Sequence, residues 1–319
     1  RRRERSWAFA LVLSWIVFAM SAMLLWRVLS EGLIIYSLGG WPAPWGIEYR
    51  IDAVNGFVAF IVSFIGAVVL LYAPRSVFSE LPDLRANLFF TAYLLCLTGL
   101  LGMTLTGDVF NVFVFLEISS LASYALIAIG PDRRALMASY RYLVMGTVGA
   151  TFYVIGVGLL YMMTGTLNMA DLAERLQPVL MTSTVLAAFA FLAVGLSLKL
   201  ALFPLHLWLP NAYAYAPSVV TAFLAATATK VGVYVFVRFF YGIFGARYAF
   251  DTLNLDNFLV PLGLAGVFVA SLVAVFQTNI KRMLAYSSIA QVGYMMVGVG
   301  LVSVTGLTAT LVHLFNHAV

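Results

Sequence analysis

The amino-acid sequence predicts an all-α, polytopic membrane protein. Hydrophobic residues make up 63% of the 319-residue chain, only 10% of its residues are charged, and its mean hydropathy is +1.00. A soluble domain has about 25% charged residues. Apolar segments recur along the whole chain, most of them near the roughly 20 residues that cross a bilayer as a helix. We therefore expect one transmembrane domain over 1–319.

Ten apolar segments are predicted to be helices of this domain. The first follows RRRERSW; it is longer than the apolar core of a signal peptide and has no evident cleavage site, so we interpret it as a retained span. The tenth is too short to cross a bilayer, and we expect the chain to be truncated at both ends. The segments are 7–29, 53–73, 87–106, 108–130, 136–163, 181–203, 217–241, 258–277, 281–301 and 304–319.

Two connections between these segments are expected to have structure of their own. Glycines and prolines in 36–52 forbid a continuous helix, and the aromatic residues there suit a cap at the membrane interface with a short hairpin. The link 164–180 contains NMADLAERLQP, which predicts a short surface helix capped near Asn168.

The distribution of basic residues predicts the orientation of the chain. Positively charged residues collect on the cytoplasmic side of a membrane protein. If the N-terminus is inside, eleven basic residues lie at inside ends and five at outside ends, so we predict this topology. The eleven are Arg1, Arg2, Arg3, Arg5, Arg75, Arg85, Arg133, Arg134, Arg141, Lys281 and Arg282; the five are Arg27, Arg50, Arg175, Arg238 and Arg247.

Several function classes are excluded by what the sequence lacks. Cys96 is the one cysteine, so the chain can form neither an internal disulfide nor a thiolate-held iron–sulfur cluster. No Walker-type or GxGxxG loop is present, and no basic stripe with interleaved aromatic residues suggests nucleic-acid binding. We expect no cofactor, and any redox chemistry must belong to a partner.

The stretch 195–232 is the most informative part of the chain. It starts and ends as apolar helix but contains Lys199, His206 and Lys230, and it is broken by Pro204, Pro210 and Pro217. In a bilayer, a broken helix survives only beside protein or water, because each unpaired backbone group is costly. Ionisable groups at that depth usually belong to an ion path. We therefore interpret this stretch as an ion-conducting element.

Glu117 is the second ionisable group placed deep in a span. An isolated carboxylate at that depth would take up a proton rather than stay charged. If Glu117 faces Lys199, each side chain favours the charged form of the other, and separating them would make the lysine release its proton. The alternative is a static ion pair that fixes helix packing, although buried pairs stabilise folds poorly.

Lys230 and His206 are predicted to relay protons. Lys230 lies thirteen residues after Pro217, where reaching the interface with its ammonium would strain the side chain. His206 follows the break at Pro204, and the pKa near 6.5 of an unperturbed histidine suits proton exchange. The structural alternative for His206 is donation to a carbonyl that the kink leaves free.

His313 and His317, in HLFNH, share one face of the last segment. The spacing can bind a metal, but the glutamate of HExxH is absent and no third ligand is evident, so we expect no metal there. A polar pair facing a hydrated interior is the interpretation we prefer, and plain packing is the alternative. Asp108, at the start of a span, is expected to cap its helix.

Four motifs together resemble one family. These are LTGDVFNVFVFLEISSLASYALIAIG, SLKLALFPLHLWLPNAYAYAPS, FQTNIKRMLAYSSIAQVGYMMVG and HLFNHA. They are similar to the antiporter-like proton-translocating subunits, which include subunits of Mrp-type cation/proton antiporters, of complex I and of membrane-bound hydrogenases. The likeness runs from about residue 36 to 319. It is nearest in overall character to the D-type Mrp subunits, whereas complex I relatives often read DAH where this chain has Asn211-Ala212-Tyr213.

The resemblance implies a fold of about fourteen helices with two inverted repeats, each holding a broken helix. Residues 1–86 would be N-terminal spans and the outside cap, 87–241 the first repeat, and 258–319 the start of the second. Carried over, Glu117 and Lys199 match the glutamate and lysine of the first half-channel. Lys230 matches the lysine of the next helix and His206 the histidine after the break. His313 and His317 match the central histidines.

The sequence thus predicts a proton-translocating subunit of a multisubunit complex in a bacterial or archaeal inner membrane. Monovalent cation (Na+)/proton antiport is the preferred function, with other membrane subunits, protons and the lipid bilayer as partners and no chemistry of the chain's own. The first alternative is a proton-pumping subunit of a redox complex, either a hydrogenase or an NADH–quinone oxidoreductase. The second is a scaffold whose ionisable residues only hold helices together.

Overall fold

The protein is described by a computed structural model that covers residues 2–81 and 83–319. Twelve α-helices and a two-stranded antiparallel hairpin, β1 (Ile34–Ser37) and β2 (Glu48–Ile51), form the described part of the chain. The helices are α1 (Arg2–Glu31), α2 (Ala53–Glu80), α3 (Asp83–Leu105), α4 (Val109–Ala128), α5 (Arg134–Thr164), α6 (Met169–Leu176), α7 (Ser183–Leu200), α8 (Leu209–Tyr215), α9 (Ser218–Val237), α10 (Asp256–Val275), α11 (Ile280–Gly300) and α12 (Val304–Ala318).

The predicted all-α membrane fold is confirmed. Each of the ten predicted segments corresponds to one helix, and within the described residues eight helices are long and apolar enough to cross a membrane. The other two are α11, which carries two basic residues in its first turn, and α12, which has 15 residues. A 15-residue helix extends about 22 Å, which is less than a hydrocarbon core of about 30 Å.

Several helices, including α4 and α6, begin where the sequence supplies a side-chain cap. The Asp108 carboxylate accepts the Asn111 N–H at 2.7 Å and starts α4, so its predicted capping role is confirmed. Asn168 caps the predicted short helix α6 in the same way, accepting from Ala170 and Asp171. Such caps satisfy backbone donors that no intrahelical partner reaches.

The hairpin runs from Ile34 to Ile51 and overlaps most of the predicted cap segment 36–52, and its Tyr49 pairs with Thr106, just beyond α3. Asp52, which follows β2, caps α2 and also pairs with Arg238 at 2.7 Å, just beyond α9. Two π-helical turns, Arg238–Ile243 and Arg247–Thr252, then lead towards α10. The sequence did not predict these turns.

Helix α9 lies at the centre of the bundle. It packs on α2, α3, α7, α8, α11 and α12, and nearly all its residues from Thr227 to Phe236 are buried. The α5–α7 crossing depends on small residues, since a Cβ added to Gly195 would lie 2.7 Å from the Gly149 carbonyl oxygen. Close crossings of this kind bring α7 and its polar end against the neighbouring helices.

Candidate functional site

The predicted break in the helix is present between α7 and α8. Helix α7 ends at Leu200, and Ala201 takes a left-handed conformation with φ 61°. The Leu202 N–H turns back to the Ser197 carbonyl at 3.0 Å, and the Trp208 indole N–H donates to the Leu198 carbonyl at 3.1 Å. Carbonyls at the end of α7 are therefore paired inside the protein, as a break at membrane depth requires.

His206 lies inside this break and is buried. Its ring stacks on Phe203 with 5.2 Å between the ring centroids, and its Nδ1 atom is buried without a hydrogen-bond partner among the described residues. The indole of Trp208, rather than His206, donates to the Leu198 carbonyl, and it also stacks on Tyr142 of α5 at 3.9 Å. A buried imidazole nitrogen with a free hydrogen-bonding position is able to exchange a proton with a water molecule or a neighbouring group.

Lys199 sits one residue before the end of α7 and contacts α4. Its Nζ donates to the Ser120 hydroxyl at 2.6 Å. Glu117 lies three residues earlier on α4, half-buried and within electrostatic range of Lys199, but no direct ion pair joins the two described side chains. The lysine is thus held by a neutral hydroxyl about one helical turn from the carboxylate.

Lys230 is buried in the middle of α9 and has a different kind of partner. Its Nζ donates to the backbone carbonyl of Ala225 in the same helix, and no carboxylate of the described residues forms an ion pair with it. Two residues further on, Gly232 packs on the end of α7, where an added Cβ would lie 3.1 Å from the Leu200 Cβ. This contact packs α9 on the end of α7, whereas Lys230, two residues away, lies on a different face of α9.

His313 and His317 lie on α12, which packs against α9. Lys230 is within electrostatic range of both imidazoles. His313 Nε2 is 2.6 Å from the Gln291 side-chain oxygen on α11, and His317 Nδ1 is buried with no hydrogen-bond partner in the described part of the chain. No group of three or more potential metal ligands occurs among the described residues.

Glu80, at the end of α2, contacts the start of α9, which the sequence did not predict. Pro217 occupies the capping position of α9 and offers no side-chain acceptor. The Glu80 carboxylate, at the end of α2, accepts the Ser218 N–H at 3.1 Å and the Ser76 hydroxyl at 2.6 Å. A residue of α2 therefore caps the helix that carries Lys230.

The structure thus shows two groups of electrostatic neighbours, Glu117 with Lys199 and Lys230 with the two histidines of α12, while His206 lies in the break that follows α7. Ser120 and Glu80 are the site residues that sequence reasoning missed; the adjacent serines after Glu117 were a weak sign of the former. Ionisable groups are costly at membrane depth, and those that occur there usually belong to an ion or proton path.

These features define a class of protein, a polytopic membrane protein with a broken helix and lysines inside its membrane-spanning helices. Comparison with sequence families then identifies the group. The sequence model described as "NADH:quinone oxidoreductase/Mrp antiporter, TM" matches residues 106–319. The chain belongs to this family, so the predicted resemblance is confirmed, and it is a multi-span protein of a bacterial or archaeal membrane.

Two curated relatives belong to different branches of the family. The N subunit of the NADH-quinone oxidoreductase of Desulforudis audaxviator is 46% identical over 284 residues, which cover 89% of this chain and 56% of that protein. The D subunit of the Na(+)/H(+) antiporter of Alkalihalophilus pseudofirmus is 34% identical over 292 residues, covering 92% and 58%. The chain therefore spans between half and two thirds of the length of these relatives.

Two solved complexes contain chains of the same fold. A chain of the membrane-bound sulfane sulfur reductase, an archaeal respiratory membrane complex, superimposes with a TM-score of 0.88 and 33% identity over 98% of this chain and 63% of that one. A chain of the Mrp complex from Dietzia sp. superimposes with a TM-score of 0.88 and 26% identity, covering 99% and 58%.

Proposed function

We propose that this chain is a proton-translocating, antiporter-like subunit of a multisubunit membrane complex. The observation that carries the proposal is the presence of one lysine in each of two helices that pack on each other, α7 and α9. Lys199 lies beside the break, and Lys230 lies two residues from the glycine that packs on it. A scaffold has no need of two buried ammonium groups, because apolar residues of similar volume pack at least as stably.

The proposed path runs from Glu117 to the histidines of α12. A proton enters by one half-channel and resides on Lys199 under the control of Glu117. It passes through water near His206 to Lys230, and then along His313 and His317. The buried Nδ1 atoms of His206 and His317, unpartnered within the described chain, support this order, since each offers a hydrogen-bonding position to water or to the next group.

We further propose that the site belongs to one of two inverted repeats. Residues 87–241, which contain the break and both lysines, would form the first repeat, and 258–319 would start the second. Broken helices at a repeat interface near the middle of the bilayer are typical of transporters built in this way.

Coupling to a monovalent cation, with Na+ exchanged for protons, remains the proposed use of the pathway. It is supported by the relatives that are named as Na(+)/H(+) antiporter subunits, which include one from Bacillus subtilis at 33% identity over 96% of this chain. The partners would be the other membrane subunits of that antiporter, within a lipid bilayer.

Proton pumping driven by a redox partner is the second candidate, and a specific observation favours it. The identity with the N subunit of an NADH-quinone oxidoreductase is 46%, and the chain of the sulfane sulfur reductase is more similar in sequence than that of the Mrp complex. Identifying the proteins that co-purify would decide between the candidates. Iron–sulfur subunits indicate the redox complex, and their absence with preserved exchange indicates the antiporter.

The pathway itself is tested in vesicles that contain the complete complex. We expect Lys199→Ala and Glu117→Ala each to reduce proton translocation at least tenfold, at unchanged assembly. Arg27→Gln is the matched control, because Arg27 pairs with Glu31 on the exposed face of α1, away from the site. Translocation by both site variants at the rate of this control would exclude the proposed path.

A further inference from the structure

A cavity of about 260 Å³ opens at the end of the bundle where α5 and α11 begin. Its lining includes three arginines, with Arg134 and Arg141 from α5 and Arg282 from α11, together with Asn211 and Tyr215 of α8. None of these arginines belongs to the proton path proposed above. The basic-residue distribution predicts that this end faces the cytoplasm.

The positive charge of the cavity is only partly compensated. Arg134 pairs with Asp132 at 2.6 Å, and its guanidinium holds the pKa of the Asp132 carboxyl below its usual range. Arg141 makes no hydrogen bond or ion pair in the described part of the chain. Three arginines thus line the cavity, and Arg134 is the one that pairs with a carboxylate in the described part of the chain.

The guanidinium group of Arg282 is also incompletely hydrogen-bonded. One of its terminal nitrogens donates to the Asn211 side-chain oxygen at 2.5 Å, but its Nε atom is buried without an acceptor among the described residues. A buried donor of a charged group that lacks an acceptor is costly. The neighbouring Lys281, whose Nζ donates to the Ala216 carbonyl at 3.1 Å, adds a further positive charge and no acceptor.

Helix polarity adds to this unbalanced charge. Arg134 is the first residue of α5, and Lys281 and Arg282 lie in the first turn of α11. Helix N-termini carry a partial positive charge and favour anions. The capping position of α5 is itself occupied by an arginine, Arg133, which forms no side-chain cap in the described structure. Two helix starts and three arginines thus converge on one cavity.

The surface beside the cavity is apolar. Met137, which lines the cavity, is 55% exposed, and Tyr140 and Val144 continue the same face of α5 at 62% and 41% exposure. The three residues are spaced i, i+3, i+7 and form a stripe that runs from the cavity along the span. Acyl chains that start at the cavity would lie along this stripe.

We propose that this cavity binds the phosphate group of an anionic phospholipid whose acyl chains lie along α5. Guanidinium groups bind phosphate oxygens through paired hydrogen bonds, and basic pockets between spans are suited to anionic headgroups. A cavity of about 260 Å³ has room for the phosphate with several waters, since one water occupies about 30 Å³ of liquid.

The test is native mass spectrometry of the purified complex with added dioleoylphosphatidylglycerol. We expect Arg141→Gln to weaken binding about five-fold, and the Arg141→Gln, Arg282→Gln double variant to weaken it further by a similar factor. Because Arg141 makes no hydrogen bond within the described chain, the single variant leaves the fold intact. Arg133→Gln is the matched control, since it removes the same charge from the adjacent loop without lining the cavity.

Three results would overturn the proposal. Binding by Arg141→Gln equal to that of the wild type would remove the cavity as the site. Equal weakening by Arg133→Gln would mean that general surface charge, rather than the cavity, attracts the lipid. Full displacement of the lipid by millimolar inorganic phosphate would assign the cavity to a free anion. Persistent lipid in the presence of phosphate supports the proposal.

Discussion

The two buried lysines of the site differ in how each ammonium group is held. Lys199 donates to the hydroxyl of Ser120 on α4, with Glu117 one turn away on that same helix. Lys230 donates to the Ala225 carbonyl within α9, and its electrostatic neighbours His313 and His317 carry no negative charge. One lysine is held by a neighbouring helix and the other by its own.

From this difference we infer separate roles for the two lysines in the proposed proton transfer. A movement of α4 against α7 changes both the hydrogen bond and the counter-charge of Lys199, so the proton on Lys199 responds to packing. The carbonyl partner of Lys230 moves with the lysine itself, so its proton responds to hydration and to the charge of the histidines. We infer that Lys199 is the controlled position and Lys230 the relay.

Replacing Lys230 should have the largest effect. We expect Lys230→Gln to reduce proton translocation in vesicles at least 100-fold, the usual scale for losing a positioned proton-transfer group. Thr229→Val is the matched control, because the adjacent Thr229 hydroxyl is buried without a hydrogen-bond partner in the described chain and valine keeps its shape. A Lys230→Gln complex as active as this control would show that protons bypass the relay.

Removing the hydroxyl that holds Lys199 should have an intermediate effect. A hydrogen bond to a charged group contributes about 1.5–3 kcal/mol, so we expect Ser120→Ala to slow translocation about tenfold and Ser120→Thr to restore much of it. Ser119→Ala serves as control, since the Ser119 hydroxyl is buried but donates to the Leu116 carbonyl. Equal rates for the two alanine variants would contradict the role of Ser120.

Removing the cap of α9 should have the smallest effect on transport. Replacement of a helix cap costs about 1 kcal/mol, so we expect Glu80→Ala to lower the melting temperature by a few degrees and translocation less than threefold. Thermal unfolding of the purified protein measures the first effect and vesicle assays the second. Glu174→Ala on the surface helix α6 is the control. A melting temperature unchanged by Glu80→Ala would show that the cap contributes nothing.

The sequence predicted the helices well because each feature was local. The limits of α4 follow from a long apolar run that starts at a capping residue, Asp108, and the short helix α6 follows from Asn168 in the same way. The break after Lys199 was marked by three prolines. The π-helical turns beyond α9 were missed because no residue type marks a wider helical turn.

The contacts of the site could not be predicted in the same way. Ser120 lies 79 residues from Lys199, and Glu80 lies 138 residues from Ser218. Which polar groups meet depends on how whole helices pack, and packing is not visible in the period of one helix. Glu117 shows the limit, because the sequence left open whether it faces Lys199, and the structure places the Ser120 hydroxyl against the ammonium with Glu117 one turn away.

The central position of α9 has a consequence for how the chain enters the membrane during synthesis. In the most apolar 18-residue stretch of each helix, the share of residues buried inside the protein is 78% for α9 and 17% for α1. A lysine at the centre of a span opposes insertion by about 2.5–3.5 kcal/mol, so α9 is a poor candidate to enter lipid alone. Helices α2, α3, α7 and α8, which pack on it, are all synthesised before it. Four of the helices that pack on α9 are therefore already synthesised when the ribosome reaches Lys230.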